Sequence, residues 1–196
     1  MPLFGDENII TARVAAENIK RHSILNNVTI NGVTYQFEER EFHPEFAMVL
    51  PTCFKDLAPE YVRIKYPRED RPEIILTNAD TTVNFAFSYN EAPPESLESR
   101  LAKYRAVAKR LIPGYVFLSE KIYSLENGMD VACYDYRLNA LDADVYSLCF
   151  FTDLPDGQLF CWFTCPIELQ VKWEPLVKQM IETIKPLLQD ETIGHL

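Results

Sequence analysis

Glycine and histidine are scarce in this chain of 196 residues, which contains 6 glycines and 3 histidines. It has no Walker sequence and no G-x-G-x-x-G fingerprint, so a nucleotide cofactor is not indicated. His22 and His195 lie near the chain ends, and only His43 has a cysteine, Cys53, near it in the sequence. Apart from the Cys53–His43 pair, these residues suggest no Ser/His/Asp or Cys/His arrangement. The sequence therefore carries no recognisable catalytic, metal-binding or nucleotide-binding signature, and we expect no cofactor.

Basic residues are outnumbered, and long apolar runs are missing. The 19 Lys and Arg residues against 29 Asp and Glu residues give a formal net charge of -10. Nucleic-acid binding depends on neutralising phosphates with Lys and Arg, and an anionic membrane surface would also repel this chain. The N-terminus has no cationic segment followed by an apolar one, and no apolar run approaches the length that spans a bilayer. We expect an acidic, cytoplasmic protein that binds neither nucleic acid nor membranes.

The 5 cysteines are an odd number and cannot all pair within one chain. Four of them fall in predicted strands rather than in the loops of a small disulfide-rich scaffold, which favours reduced thiols. Cys161 and Cys165 lie along one predicted strand, about 13 Å apart at roughly 3.3 Å per residue, which is too far for them to share a zinc ion. The sequence therefore predicts buried, inert thiols and no metal site.

Apolar and aromatic residues are abundant, at 47% and 12% of the chain. A chain of this length and composition suits one core. Ahead of that core, an amphipathic helix is predicted over residues 6–22 and a hairpin over residues 27–37, with its turn at Asn31-Gly32. We expect an N-terminal helix and hairpin extension over residues 1–34 and a single α+β domain over residues 35–196.

Strand patterns rich in β-branched and aromatic residues alternate with two further helical patterns. Strands are predicted over residues 46–50, 61–66, 73–76, 82–89, 115–125, 130–138, 144–152 and 158–165, with a turn or short helix over residues 54–57. Helices are predicted over residues 95–112 and 173–188, and Pro175 is expected in the first turn of the second one. Hairpin-length connections between the late strands predict a mainly antiparallel sheet of about six strands flanked by helices.

The apolar faces of these elements define the predicted core, and the last turn sets the register of the late strands. The predicted core consists of Leu101, Tyr104, Leu111, Phe85, Phe87, Leu148, Phe150, Trp162, Trp173, Leu176, Met180 and Ile184. We expect Leu154 to pair with Gln158, which makes both faces of the sheet apolar and predicts that both are covered.

In this register, Cys133, Cys149, Phe151, Cys161, Phe163 and Cys165 share one face, and Tyr146, Leu148, Phe150, Phe160 and Trp162 share the other. Asp135, Arg137 and Ser147 fall on the cysteine face and form a polar group inside an apolar layer. Such a group is either structural or part of a ligand-binding site.

A resemblance to a known family rests on three stretches, FAMVLP (46–51), RPEIILTN (71–78) and VNFAF (83–87), followed by one middle helix, a late meander and a closing helix that contains Trp173. Over about residues 35–190 this succession resembles the PsbP-like α/β/α sandwich superfamily, which includes DcrB-type proteins and adaptor chaperones of type VI secretion effectors. The similarity is one of pattern and is greatest to bacterial members without an assigned activity. Because most known members bind proteins, the resemblance implies protein binding.

The expected function is a non-catalytic protein-binding or adaptor module, of which a chaperone is one form. Its predicted contact surface is the apolar stripe of the N-terminal helix, which would meet a protein partner or a second copy of this chain. The stripe consists of Ile9, Ile10, Val14 and Ile19. The alternative is that this helix packs on its own sheet. Arg100 and Lys103 belong to a basic side of the middle helix, which would complement an acidic partner or the acidic N-terminal half of the chain, or form an ordinary solvated face.

Two other functions stay open at this point. One is a small-ligand-binding protein. The other is a thiol-dependent enzyme in which Cys53 is the nucleophile and His43 its base, because a thiolate needs a base or a helix N-terminus to lower its pKa.

Overall fold

The structure is a computed structural model that describes residues 23–42, 45–112, 114–139 and 144–187. Within these ranges the chain forms twelve strands and three α-helices. The strands are β1 (Val28–Ile30), β2 (Val33–Tyr35), β3 (Phe37–Phe42), β4 (Phe46–Pro51), β5 (Lys55–Asp56), β6 (Ile74–Thr77), β7 (Asn84–Asn90), β8 (Tyr115–Ser124), β9 (Asp130–Asn139), β10 (Asp144–Leu154), β11 (Gly157–Pro166) and β12 (Lys185–Pro186). The helices are α1 (Pro59–Lys65), α2 (Leu97–Leu111) and α3 (Gln170–Ile181). The predicted N-terminal helix, with Ile9, Ile10, Val14 and Ile19, lies outside the described residues.

The strands form one large sheet and two small ones. The large sheet has seven strands in the order β5-β6-β7-β11-β10-β9-β8, and each neighbouring pair is antiparallel. A three-stranded sheet has the order β12-β4-β3, and β1 and β2 form a separate hairpin. This arrangement confirms the predicted α+β class with a mainly antiparallel sheet flanked by helices.

The main core lies between one face of the large sheet and a layer made of α3, the three-stranded sheet and the hairpin. Trp173 is at its centre with no exposed surface. Its ring lies 5.0 Å from that of Tyr35 and 5.8 Å from those of Phe54 and Phe163, measured between centroids. Val28, Ile30 and Tyr35 of the hairpin are buried in this core, so the hairpin packs as part of it.

The opposite face of the large sheet is covered by α2 and α1. Leu101 and Ala108 of α2 pack on a row of aromatic residues from β9, β10 and β11. Val62 of α1 and Tyr66, which directly follows the helix, pack on Ile75 of β6 and on its neighbours. Other elements therefore pack on both faces of the sheet, as the sequence predicts, but the cover on the α2 side is incomplete over Trp162.

The predicted register of β10 and β11 is wrong by one residue. Leu154 pairs with Gly157, because Pro155 and Asp156 alone form the loop. A shift of one residue turns every side chain to the other face of a strand. Cys149 and Phe151 therefore lie with Phe160 and Trp162 on the α2 side, and Tyr146, Leu148 and Phe150 lie with Cys161, Phe163 and Cys165 in the main core.

The pairing of β9 with β10 divides the predicted polar group, because Leu148 and not Ser147 lies opposite Asp135. Asp135 is buried on the main-core side, where it accepts hydrogen bonds from Ser119 Oγ at 2.5 Å and Tyr146 Oη at 3.0 Å. Arg137 donates to Gln170 Oε1 of α3 at 2.9 and 3.1 Å. Ser147 pairs with Tyr136 across the strands, on the α2 side. These contacts join elements to each other and leave no shared Asp135–Arg137–Ser147 site.

Residues 61–66, predicted as a strand, form the end of helix α1 and its C-cap, Tyr66. Pro59 is the first helical residue, a position where proline is tolerated because its missing N–H would have no partner in the helix. Glu60 in the first turn and Lys65 in the last turn are favourable to the helix dipole. Residues 54–57, predicted as a turn or short helix, contain strand β5.

The last helix begins and ends earlier than predicted. A 3₁₀ turn over Ile167–Leu169 leads into Gln170, so Pro175 lies inside α3 and not in its first turn. After Ile181 the Thr183 hydroxyl donates to Met180 O at 2.6 Å and accepts from Val49 N at 2.9 Å. The chain then pairs with β4 as β12.

Most of the predicted core is confirmed, with nine of the twelve side chains buried. Leu111 is the clear exception, because 56% of its surface is exposed. Tyr104 and Trp162 are only half-buried. All three lie on the α2 side of the sheet, next to one cleft. Among the described residues, no helix is long and apolar enough to cross a membrane.

Candidate functional site

A cleft of about 550 Å³ lies on the α2 side of the large sheet. It forms because α2 lies over β8 and β9 while the shorter α1 packs on β6, which leaves the middle of the sheet only partly covered. Trp162 packs against side chains of both helical clusters and is part of the cleft floor. The volume falls in the range of about 300–1,000 Å³ typical of ligand-binding clefts.

The walls of this cleft, which we call the α2 cleft, are aromatic and aliphatic. Its apolar lining includes Tyr104, Val107, Leu111, Tyr134, Tyr136, Phe160 and Trp162. The rings of Tyr104 and Phe160 meet edge to face at 5.1 Å, and those of Phe160 and Trp162 lie 4.2 Å apart. Val107 and Leu111 are among the exposed large apolar residues of the protein. The surface therefore offers rigid apolar contacts to a ligand.

One buried amide in the α2 cleft has a nitrogen without a hydrogen-bond partner among the described residues. Gln158 is 4% exposed, and its Oε1 accepts a hydrogen bond of 2.8 Å from the Tyr104 hydroxyl. Its Nε2 is buried, and no described residue accepts a hydrogen bond from it. A buried amide without a partner destabilises a fold by about 1–3 kcal/mol, so such groups mark places where another molecule can supply the partner.

The tyrosines of the cleft are neutral near physiological pH. Burial raises the pKa of Tyr104, and it also raises the pKa of Tyr134 and Tyr136 strongly. Among the described residues that line the cleft, the charged ones are Asp70 and Glu91. Arg68 binds Asp70 through two hydrogen bonds of 2.8 Å. The arrangement suits binding of an apolar group better than acid–base chemistry.

A smaller cleft of about 150 Å³ opens on the other side of the same sheet region. Phe46, Phe87 and Leu159 of the main core line it, together with Glu45 and Glu73. Ser88 lines both clefts. The two clefts therefore flank the end of strand β7 on opposite faces of the sheet.

The predicted partner-binding residues of helix α2 are not among the residues that line the α2 cleft. Arg100 is buried, with 3% of its side chain exposed, and its guanidinium is bound to Asp153. Lys103 is exposed and forms an ion pair with Glu95. Neither contact tests a role in partner binding, but Arg100 already has its charge partner within the chain.

Cys53 is exposed as a residue, as the sequence suggests. Its thiol is still partly desolvated by the surrounding protein, and this raises the pKa of the thiol. A raised pKa means less thiolate at neutral pH. Its proposed base, His43, lies outside the described residues. Cys149, Cys161 and Cys165 are buried, in line with the prediction of inert thiols, and Cys133 is half-buried.

The sequence contains only part of the signal for the α2 cleft. The alternation of Phe160 and Trp162 predicts an apolar face, but assigns both rings to a closed core. The cleft exists because the end of α2 is exposed and because neither α1 nor α2 fully covers β11. Both facts depend on where each helix lies on the sheet, and the pattern of a single sequence does not encode this.

Comparison by sequence finds no match: no protein-family model fits this chain, and no curated protein is significantly similar to it.

Comparison by structure gives clear likenesses at low identity. Cyanobacterial PsbP (CyanoP) from Synechocystis is similar with a TM-score of 0.58 at 11% identity, over 83% of this chain and 98% of that one. The Ran-binding protein Mog1p of Saccharomyces cerevisiae has a TM-score of 0.55 at 13% identity, over 78% and 96%. LpqN of Mycobacterium tuberculosis, involved in cell envelope biogenesis, has a TM-score of 0.54 at 9% identity, over 83% and 99%.

These likenesses show the class of fold, which is an α+β protein with a large antiparallel sheet between two layers. More specifically, the chain has the PsbP-like fold, as the sequence resemblance implied. At these identities the comparison establishes the fold and no activity.

Proposed function

We propose that this protein is a non-catalytic binding module that holds a segment of another protein in the α2 cleft. The observation that supports this most is the combination of an open aromatic cleft with the buried Nε2 of Gln158, which has no hydrogen-bond partner among the described residues. Aromatic anchors beside a desolvated polar group are typical of the small region that dominates a protein interface.

The fold comparison supports the class of function. Mog1p, which has the same fold, is a Ran-binding protein. An adaptor or chaperone role in the cytoplasm is the finer form of the proposal. The apolar stripe of the predicted N-terminal helix would then be a second contact surface, for a partner or for another copy of the chain.

The thiol-enzyme alternative has less support. Cys53 has a raised pKa, whereas a nucleophilic cysteine needs a lowered one. A small apolar ligand remains the other candidate for the α2 cleft, because the volume of the cleft would admit one.

The test is a selection of displayed random peptides on the wild-type protein, followed by affinity measurements with two double variants. Val107→Gln/Leu111→Gln removes two exposed apolar side chains from the cleft, and Ile64→Gln/Val171→Gln removes two from helix surfaces outside its lining. All four changes keep helix-compatible, neutral side chains at exposed positions, so the unfolding midpoints should stay close to wild type.

We expect the cleft variant to weaken peptide binding by at least about tenfold and the control variant by less than about twofold. Equal effects of the two variants would place the contact elsewhere. Recovery of small apolar compounds but no peptides in a parallel screen would favour the small-ligand alternative.

A further inference from the structure

Strand β7 extends past the end of its neighbour β6. The first residue of β6, Ile74, pairs with Phe87, whereas β7 continues through Ser88 and Tyr89 to Asn90. On its other side β7 is paired to the end, with Asn90 opposite Gln158 of β11. Among the described residues, none pairs as a strand with the last three residues of β7 on the β6 side, in the middle of the large sheet.

A side chain takes the place of the missing strand at this edge. The backbone N–H of Tyr89 donates to Glu73 Oε2 at 3.3 Å. In a continued sheet this N–H would donate to a backbone carbonyl of the neighbouring strand. Glu73 is exposed, so a peptide carbonyl can replace its carboxylate without opening the core.

The two clefts lie on either side of this free edge and share Ser88. Side chains of consecutive residues in a strand point to opposite faces of a sheet. A strand added beside residues 88–90 would therefore direct one side chain toward Trp162 in the α2 cleft and the next toward Phe87 and Leu159 in the smaller cleft.

The charged residues around the two clefts indicate which side chains an added strand would carry. The charged residues that line the two clefts are all acidic: Glu45 and Glu73 in one, Asp70 and Glu91 in the other. In the described part of the chain no Lys or Arg lines either cleft, although Asp70 forms an ion pair with Arg68. The whole chain carries a net charge of -10, which favours a basic partner.

We infer that the partner of this protein binds by strand addition at the free edge of β7, through an extended segment with two consecutive apolar residues flanked by Lys or Arg. This inference rests on the proposed function and specifies how that site works. Backbone hydrogen bonds supply affinity in this mode, and the alternating pockets supply specificity.

The test uses a synthetic peptide of about ten residues with Leu-Ile at its centre and Lys and Thr elsewhere, together with two single N-methylated forms. In an added strand, alternate N–H groups point toward the sheet and away from it. Methylation at one central residue should weaken binding by at least about tenfold, and methylation at the next by less than about twofold. A matched peptide with Glu in place of Lys should bind at least about tenfold more weakly, and added salt should reduce that difference.

The outcomes separate this inference from the proposed function. Binding that is lost in Val107→Gln/Leu111→Gln but is equally tolerant of both N-methyl groups would keep the cleft as the site and overturn strand addition. Equal binding of the Lys and Glu peptides would overturn the assignment of a basic partner. Peptide binding that the cleft variant does not weaken would overturn both proposals together.

Discussion

Arg100 and Asp153 connect helix α2 to the end of strand β10 through a two-pronged ion pair. Two guanidinium nitrogens lie 2.6 and 2.7 Å from the two carboxylate oxygens. The pair is asymmetric, since Arg100 is 3% exposed and Asp153 is 50% exposed. The Asp153 carboxylate raises the pKa of Arg100, so the buried guanidinium stays charged and depends on this partner.

Asp153→Asn should lower the free energy of unfolding by about 1–2 kcal/mol, because it leaves a buried cation with a weaker, neutral partner, while solvent at the exposed side moderates the loss. Urea unfolding measures the change. Asp70→Asn, in the exposed pair with Arg68, is the control and should leave the midpoint unchanged. Equal midpoints for the two variants would mean that Arg100 is not held by Asp153.

Trp173→Ala should cost about 4 kcal/mol, within the range for removing a large buried ring. Trp173→Phe should cost less than about 1.5 kcal/mol, because it keeps a ring in place and removes an indole Nε1 that lacks a hydrogen-bond partner among the described residues. Val171→Ala on the exposed side of α3 serves as the control. An unchanged midpoint for Trp173→Ala would contradict the central position of this ring.

Thiol labelling should modify Cys53 in the native protein and spare Cys149, Cys161 and Cys165 until the protein unfolds. At neutral pH Cys53 should react more slowly than the same cysteine in an unfolded peptide, because its raised pKa leaves less thiolate. Mass spectrometry after timed alkylation measures both rates, and Cys53→Ser identifies the labelled site. Faster labelling than in the peptide would revive the thiol-enzyme alternative.

Stability should fall in alkaline solution. Burial raises the pKa of Cys165 and of Tyr66 to about 12. Their pKa values in the unfolded chain are about 8.5 and 10, so between these values and 12 the folded state holds more protons and its stability decreases as pH rises. At about pH 10 Cys165 alone should account for a loss of about 1–2 kcal/mol.

Urea unfolding at a series of pH values checks this prediction. Cys165→Ala should make the decline between about pH 8.5 and 10 shallower, whereas Cys53→Ala, at an exposed position, should change it much less. A decline that is the same in all three proteins would assign the effect to other groups.

Local signals in the sequence predict most of the fold. The turn at Asn31-Gly32 forms as expected, with both residues at positive φ, 50° and 81°. A type I′ turn needs this conformation, and Asn-Gly is the pair that adopts it most readily. The apolar face of the last helix and the alternation of the late strands depend on neighbours in sequence, and their positions are largely as predicted.

The errors occur where one residue or one long-range contact decides the outcome. The loop at Pro155-Asp156 is two residues long, whereas the predicted pairing of Leu154 with Gln158 requires a loop of three. That one residue exchanges the two faces of β10 relative to β11. Residues 61–66 alternate like a strand, but Pro59 starts a helix there. The α2 cleft and the free edge of β7 arise from the unequal lengths of elements that are distant in sequence, so the predicted core included Leu111 and Trp162.

The positions of the two tryptophans give this protein two separate optical probes. Trp173 is enclosed in the main core, whereas Trp162 forms part of the cleft floor. The sequence contains no third indole. In Trp173→Phe, emission therefore comes from Trp162 alone, and its wavelength reports the polarity of the cleft as an occupant displaces water. In Trp162→Phe, the remaining emission follows the opening of the core, so unfolding and occupancy can be followed by fluorescence without attaching a dye.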